Sequence, residues 1–297
     1  MKAILIILLW SLSMSFAISQ AGIGITTPHA SAMLDVTSTT KGFLPPRMTT
    51  AQRNAITSPA TGLTIYNTTV NCLQWWNGTY WYDGCLSSAE NFLRTQYPAG
   101  TVFCSSGPTA IVDVTNPTSG KTWMDRNLGA TQAATSSSDA NSYGDLYQWG
   151  RGSDGHQCRN SATTSTLSST DQPGHGDFII GSVDWRSPQN ANLWQGVNGV
   201  NNPCPSGYRL PTETELEAER MSWSTNNAAG AFASLLKLPV AGRRDDITGS
   251  FTLGADSRCW SSTVSGTAAR RLNFNSSLAN MDTNNRGNGY SVRCIKN

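Results

Sequence analysis

Seven cysteines, at positions 72, 85, 104, 158, 204, 259 and 294, constrain this chain more than any other feature. Whether they pair depends on where the chain folds, and its first residues bear on that. Met1-Lys2-Ala3 leads into an apolar run from Ile4 to Leu12, and small residues follow at Ala17 and Ser19. A basic start, a short apolar run and a small-residue exit form a secretory signal, here residues 1–19, cut before Gln20. The run is about nine residues, against the roughly 20 needed to span a bilayer. An exported chain meets oxidising conditions, so disulfides are expected. Seven is odd, so at least one cysteine is free or pairs between chains. No cysteine flanks the cut, which argues against a lipid anchor, and no second run approaches a membrane span. There is no Cys-x-x-Cys and only three histidines are present, so zinc is a weak reading.

Roughly 280 residues follow the signal, enough for one large domain or two modest ones. Charged residues make up 13% of the chain, about half the usual share. Asn, Ser, Thr and Gly take their place, which suits an exported β-rich protein. Ten tryptophans argue against disorder, because disordered chains lack large apolar anchors. A net charge of +2 gives no strong attraction to nucleic acid or membrane, and neither is expected as a partner.

The chain divides into two parts. In residues 20–91, short apolar pieces alternate with turn signals. Pro45-Pro46 excludes helix locally. Residues 49–56 predict a two-turn helix with Thr49 or Thr50 as its cap. Asn77-Gly78 lies between two aromatic runs and signals a hairpin. Closing that hairpin brings its arms together, so a Cys72–Cys85 disulfide is expected. Several strings then carry a resemblance: Gly24-Ile25-Thr26-Thr27-Pro28, Ala32-Met33-Leu34-Asp35-Val36, Lys41-Gly42-Phe43-Leu44-Pro45-Pro46-Arg47, and Trp76-Asn77-Gly78-Thr79-Tyr80-Trp81. This stretch resembles a short module near the start of many exported Bacteroidetes proteins and some phage tail-fibre proteins. The resemblance implies a stalk or presentation element, a homotrimer as in fibres, and no chemistry.

Residues 92–98 read as a linker and residues 99–297 as the second part. Strands are expected over residues 99–103, 109–114, 121–125, 238–241, 258–262, 270–274 and 290–295. Residues 130–143 and 150–203 read as loop. The second stretch holds Trp185 and Trp194 and follows Trp149, which favours a loop held down by its own packing. Thr212-Glu213-Thr214-Glu215 is a capping box that opens a helix after Pro211. Four of the five glutamates, from Glu213 to Glu219, lie at that helix start. The dipole favours them there, and no metal or acid–base role is needed to explain them. A second helix is expected over residues 227–236.

Five colinear strings carry a resemblance for the second part. They are Trp123-Met124-Asp125-Arg126-Asn127-Leu128-Gly129, Tyr143-Gly144-Asp145-Leu146-Tyr147-Gln148-Trp149-Gly150, Asn202-Pro203-Cys204-Pro205-Ser206-Gly207-Tyr208-Arg209-Leu210-Pro211-Thr212, Trp260-Ser261-Ser262-Thr263 and Gly289-Tyr290-Ser291-Val292-Arg293-Cys294-Ile295. They resemble the Fibrobacter succinogenes major paralogous domain of exported Bacteroidetes proteins. That resemblance implies an α+β, C-type-lectin-like fold: a twisted antiparallel sheet, two helices and long irregular loops. It also implies a distant likeness to formylglycine-generating enzymes and to receptors diversified by retroelements. Cys204 and Cys294 match cysteines common in that family, which implies their pairing. Cys104 with Cys158 would use the rest. Cys259 replaces the family's usual aromatic before tryptophan and is the candidate free thiol. The sequence does not settle this connectivity, since four cysteines already allow three patterns.

Fold alone assigns no function. A catalyst needs convergent groups. His156 and His175 lie in the long loop near aspartates, but their spacing matches no ligand motif. No Gly-x-Ser-x-Gly elbow and no phosphate-cradling glycine loop occurs. Asp139-Ala140-Asn141 and Asp282-Thr283-Asn284-Asn285 offer oxygens to calcium, and polar turns explain both equally. No enzyme activity and no cofactor are expected. Residues 273–288 hold six asparagines, Asn273, Asn275, Asn280, Asn284, Asn285 and Asn288, with Arg270, Arg271 and Arg286 beside or among them. Asparagine, serine and arginine make adaptable hydrogen bonds, as in paratopes. The asparagines, Arg270 and Arg286, with Trp260, are the expected ligand face; a solvated hairpin loop is the alternative. From residue 238 onward, eight Lys or Arg stand against four Asp, a balance an acidic glycan could exploit. The resulting expectation is a secreted or cell-surface adhesion protein that binds an extracellular glycan or protein. A structural subunit of an extracellular fibre is the alternative, and an enzyme like the formylglycine-generating ones is a third.

Overall fold

A computed structural model describes residues 20–105 and 107–297. The expected signal peptide, residues 1–19, lies outside the described residues. The chain is mixed, mostly sheet with few helices, and begins with a small β-rich region.

That region opens with a parallel pair, β1 (Ala21–Ile23) and β2 (Leu34–Val36). A four-stranded sheet follows: β3 (Arg47–Met48), β4 (Thr64–Asn67), β5 (Cys72–Trp76) and β6 (Trp81–Asp83), side by side in that order. Helix α1 (Thr50–Asn54) has Thr49 as its cap, completed by Gln52. The hairpin register pairs Trp76 with Trp81, and the Asn77 carboxamide accepts from the Thr79 and Tyr80 amides. Gly78, at φ +100°, takes the turn position that side chains avoid. Trp75 stacks on Tyr82 at 4.5 Å, and Cys72 is joined to Cys85.

Helix α2 (Ser88–Thr95) was not foreseen. Its signal was legible: Ser87 and Glu90 form a capping box. Asn91 is fully buried and exchanges hydrogen bonds with the Asp83 backbone. Gln74 links the Asp83 carboxylate to Asn67, so a buried polar chain ties helix to sheet. The segment expected as a linker therefore holds the second half of a helix. After it, Tyr97 is buried in the core of the second part, and its hydroxyl donates to the Thr109 carbonyl.

In the second part, β7 (Asp113–Thr115), β8 (Thr122–Met124), β12 (Tyr208–Arg209) and the C-terminal β19 (Ile295–Lys296) form one sheet, in the order β12-β19-β8-β7. A second sheet runs β14-β13-β18-β9, from β9 (Tyr147–Gln148), β13 (Arg243–Arg244), β14 (Phe251–Thr252) and β18 (Gly289–Tyr290). Between them in sequence lie a short parallel pair, β10 (Thr163–Thr164) and β11 (Phe178–Ile179), and two helices, α3 (Glu213–Met221) and α4 (Ala228–Ala233). The longest strands form an antiparallel meander: β15 (Asp256–Ser265), β16 (Ala268–Asn275) and β17 (Ala279–Asn285).

Four expected strands differ: of residues 109–114, only the last two enter a ladder, in β7. Residues 99–103 form no strand; instead the Val102 amide donates to the Ser153 carbonyl, across to the long loop. Residues 238–241 are buried but outside any ladder, and Pro239 has no amide to offer one. The last segment is interrupted between β18 and β19, where Arg293 is buried and donates to the Leu236 carbonyl.

Two cores result. One gathers Trp149, Trp185, Trp194, Trp260, Tyr290 and Val292 around the Cys204–Cys294 disulfide. The loop of residues 150–203 is thus held down by its own tryptophans: Trp185 Nε1 donates to the Trp149 carbonyl and Trp194 Nε1 to that of Asn201. The other core lies between the meander and helices α3 and α4 and includes Trp123, Leu216, Trp223, Cys259, Leu272 and Phe274. A third disulfide joins Cys104 to Cys158, and Cys259 is the buried free thiol. Among the described residues, no helix is long and apolar enough to cross a membrane.

Candidate functional site

The asparagine-rich stretch is strand rather than loop. Residues 273–275 end β16 and residues 279–285 form β17, so residues alternate across a sheet surface; turns occupy only residues 276–278 and 286–288. Register then decides which side chains share a face, because successive residues point to opposite sides. Cys259, Leu272 and Met281 form one cross-strand row, and Phe274 sits beside Ala279. That face packs on the helices, with Trp223 edge-on to Phe274 at 5.8 Å. The opposite face carries Arg258, Asn273 and Asn280 in one row and Trp260, Arg271 and Asp282 in the next. Asp256 and Asn275 lie at one end of it and Asn284 at the other.

This geometry divides the nine expected ligand residues. Asn273, Asn275, Asn280 and Asn284 share the second face and reach solvent. Asn273 donates to the Asn280 carboxamide at 3.1 Å, while Asn275 caps the turn through the Ser277 and Leu278 amides. Trp260 is fully buried, lies 4.4 Å from the Tyr290 ring and donates to the Tyr147 carbonyl. It belongs to the core and offers no ligand surface. Arg270 points to the helix side, where Glu213 at the start of α3 holds it. Arg286 is also buried, over the Trp149 ring and near Asp184. Asn288 is buried against Asn284 and the Asn285 carbonyl. Asn285 is engaged by Asp246. The polar residues of this face that sequence reasoning missed are Asp256 and Arg258; Arg271 and Asp282, both named from the sequence, lie beside them. The period-two alternation through residues 256–260 and 270–275 carried that signal.

The other groups considered for chemistry are structural. His156 is fully buried; its Nδ1 faces Asp154 at 2.7 Å and its Nε2 accepts from the Gln148 amide. Burial and the nearby Arg151 lower its pKa to about 4, so it is neutral near pH 7. Burial alone would raise the Asp154 carboxyl, but His156 and Arg151 outweigh it and hold it at about 2. His175 is half-buried, 3.8 Å from Asp177. The glutamates at the start of α3 are each engaged: Glu213 by Arg270, Glu215 by Arg209, Glu217 by Arg220 and Glu219 by Asn116 and Trp223. Asp139 caps a turn, accepting from Gln132, Thr135 and Asn141. Among the described residues, one group of three could share a metal ion, Cys72, Asp83 and Cys85. Its two sulfurs are already joined to each other.

In the N-terminal region, Ile23, Met33, Leu34, Val36, Phe43 and Leu44 are all exposed. Met33 and Phe43 retain 69% and 68% of their surface. Neither β1 nor β2 has a buried residue.

Residues 22–91 match the family described as a phage tail like trimerisation region. No curated protein and no solved structure matches the chain. The trimerisation region marks a structural or fibre-like surface protein, and a homotrimer is the assembly it supports.

Proposed function

We propose that this is an exported adhesion protein: residues 22–91 form a trimeric stalk, and the C-terminal domain recognises an extracellular glycan or protein without catalysing a reaction. The trimerisation match carries this reading. The exposed apolar residues of 23–44 support it. A strand pair with no core of its own becomes stable when other copies bury it, and contiguous exposed apolar surface marks such contacts.

Recognition belongs to the second face of the meander. Asn273 and Asn280 pair there across strands, and Asn284 lies further along the same face, on a sheet that holds polar contacts more firmly than a loop does. An antiparallel sheet, two helices and a long loop packed by tryptophans are the features expected of a C-type-lectin-like domain. They support kinship with the Fibrobacter succinogenes major paralogous family. The reading without catalysis is supported by His156, Asp154 and the glutamates of α3, which are each engaged in contacts that hold the fold.

The test replaces Asn273, Asn280 and Asn284 together with alanine and measures binding on a glycan array and to cells. Loss of wild-type binding with an unchanged melting temperature is expected. Unchanged binding would sink the recognition face and leave the structural-subunit reading in its place.

A further inference from the structure

The second face ends in a cluster with more guanidinium groups than its carboxylates can engage. Arg258 and Arg271 sit side by side over the buried Tyr290 ring, their guanidinium carbons 5.8 and 5.2 Å from its centroid. Arg243 joins them from β13 through Asp256, 3.1 Å away. Asp256 also lies 2.8 Å from Arg258, and Asp282 lies 3.1 Å from Arg271. Three guanidiniums thus share two carboxylates. Asp246, whose charge also reaches Tyr290, is engaged by the Asn285 carboxamide.

Hydrogen bonding in the cluster is incomplete. Among the described residues, eleven buried side-chain nitrogen or oxygen atoms have no hydrogen-bond partner, and four of them are here. They are Asp256 Oδ1, Arg258 Nε and Nη1, and Arg271 Nε. Arg258 Nη1 is close to Asp256 but lacks hydrogen-bond geometry with it. Arg271 is 95% buried, with 5% of its surface left to solvent. Buried donors left open are rare in folded proteins, and an ion or water that satisfies them is a usual cause. Arginine forks match the paired oxygens of carboxylate, sulfate and phosphate.

We propose that Arg243, Arg258 and Arg271 form an oxyanion site that takes a sulfate, phosphate or carboxylate group of the recognised ligand. The site adjoins Asn273, which accepts from Arg271 Nη1. The neutral amides would read the ligand's hydroxyl and carbonyl groups while the arginines hold its charge. The inference rests on the recognition reading for the source of the anion, but the site itself can be read without it.

The test titrates the purified full chain with sodium sulfate, phosphate and acetate, using chloride at equal ionic strength as reference. Saturable binding of at least one of the three is expected, and the preferred anion identifies the group carried by the ligand. Arg243→Gln and Arg258→Gln should each weaken it roughly tenfold, the loss expected for one charged hydrogen-bonding partner. Arg243 is partly exposed, so its variant keeps the test valid if Arg258→Gln fails to fold. Arg220→Gln, which removes a partner of Glu217 on α3, should leave binding unchanged. No saturable binding, or equal binding in the Arg243 variant and wild type, overturns the site. Sulfate binding by a protein that binds no glycan or cell would overturn only the recognition reading. Retained glycan or cell binding in the Arg243 and Arg258 variants would overturn only the oxyanion site.

Discussion

Single residues carry much of the domain's burden of buried polarity. Asp145 is almost fully buried, and burial raises its carboxyl to about 7 against the pull of Arg159. An unfolded aspartate titrates at about 3.9. Between those values the folded chain holds a proton that the unfolded chain has released. The contribution of Asp145 to stability is therefore full below about pH 4 and is lost as pH rises through 7. Asp145→Asn should be more stable than wild type at pH 8 in urea unfolding, with the gap closing toward pH 4; a gap independent of pH would contradict this account. Gly129 adjoins the same carboxyl: it sits at φ +81°, and a Cβ there would lie 2.2 Å from the Asp145 Cγ. Gly129→Ala should cost stability by both strain and clash, on the order of 1–3 kcal/mol by urea midpoint. Little of this is legible in sequence. No local rule in Tyr143-Gly144-Asp145 signals burial, and only the tertiary fold seals it. Trp149, Trp185 and Trp194 were easier to read, because aromatic residues in a polar stretch have few places to go except a core.

At the scale of elements, the sequence was most readable where a local rule leaves one solution. The capping box at Thr212, the Asn77-Gly78 turn and the Cys72–Cys85 hairpin all depend on neighbours in the chain, whereas the choice between Thr49 and Thr50 as the first helix's cap stayed open and falls to Thr49. Thr212→Ala should lower stability by about 1 kcal/mol in urea unfolding, the usual cost of losing such a cap. Replacing Cys72 and Cys85 together with serine should cost roughly 3 kcal/mol, the loop-closure term for a loop of this size. A shift of the module's transition in calorimetry would check that. Elements fixed by distant pairing were harder to read. β17 lies outside every strand expected from the sequence, since asparagine is a turn former, yet it pairs along its whole length with β16. Neighbouring strands overrode its weak propensity. The same pairing sent Arg270 to the helices and left Asn273 facing out, a separation that composition alone could not supply.

For the whole molecule, the small β-rich N-terminal region was legible from its turn signals and its hairpin cysteines. The join was less so. Helix α2 crosses the expected boundary, and past it the Ser206 amide donates to the Gln96 carbonyl while Arg94 covers Phe103. The segment after residue 91 is therefore packed against the rest of the chain rather than a free tether. Trimerisation would then set how three recognition faces are presented, and three weak sites on one particle bind far more strongly than one. Leu34→Asp with Val36→Asp charges an exposed strand and disturbs no internal core. This variant should separate the copies while leaving the thermal unfolding of the C-terminal domain unchanged. The most direct test of the account is the mass of the mature protein in solution, measured by native mass spectrometry or sedimentation. The account predicts a particle of three chains that the Leu34→Asp, Val36→Asp variant reduces to one; a wild-type protein of one chain across micromolar concentrations would contradict it.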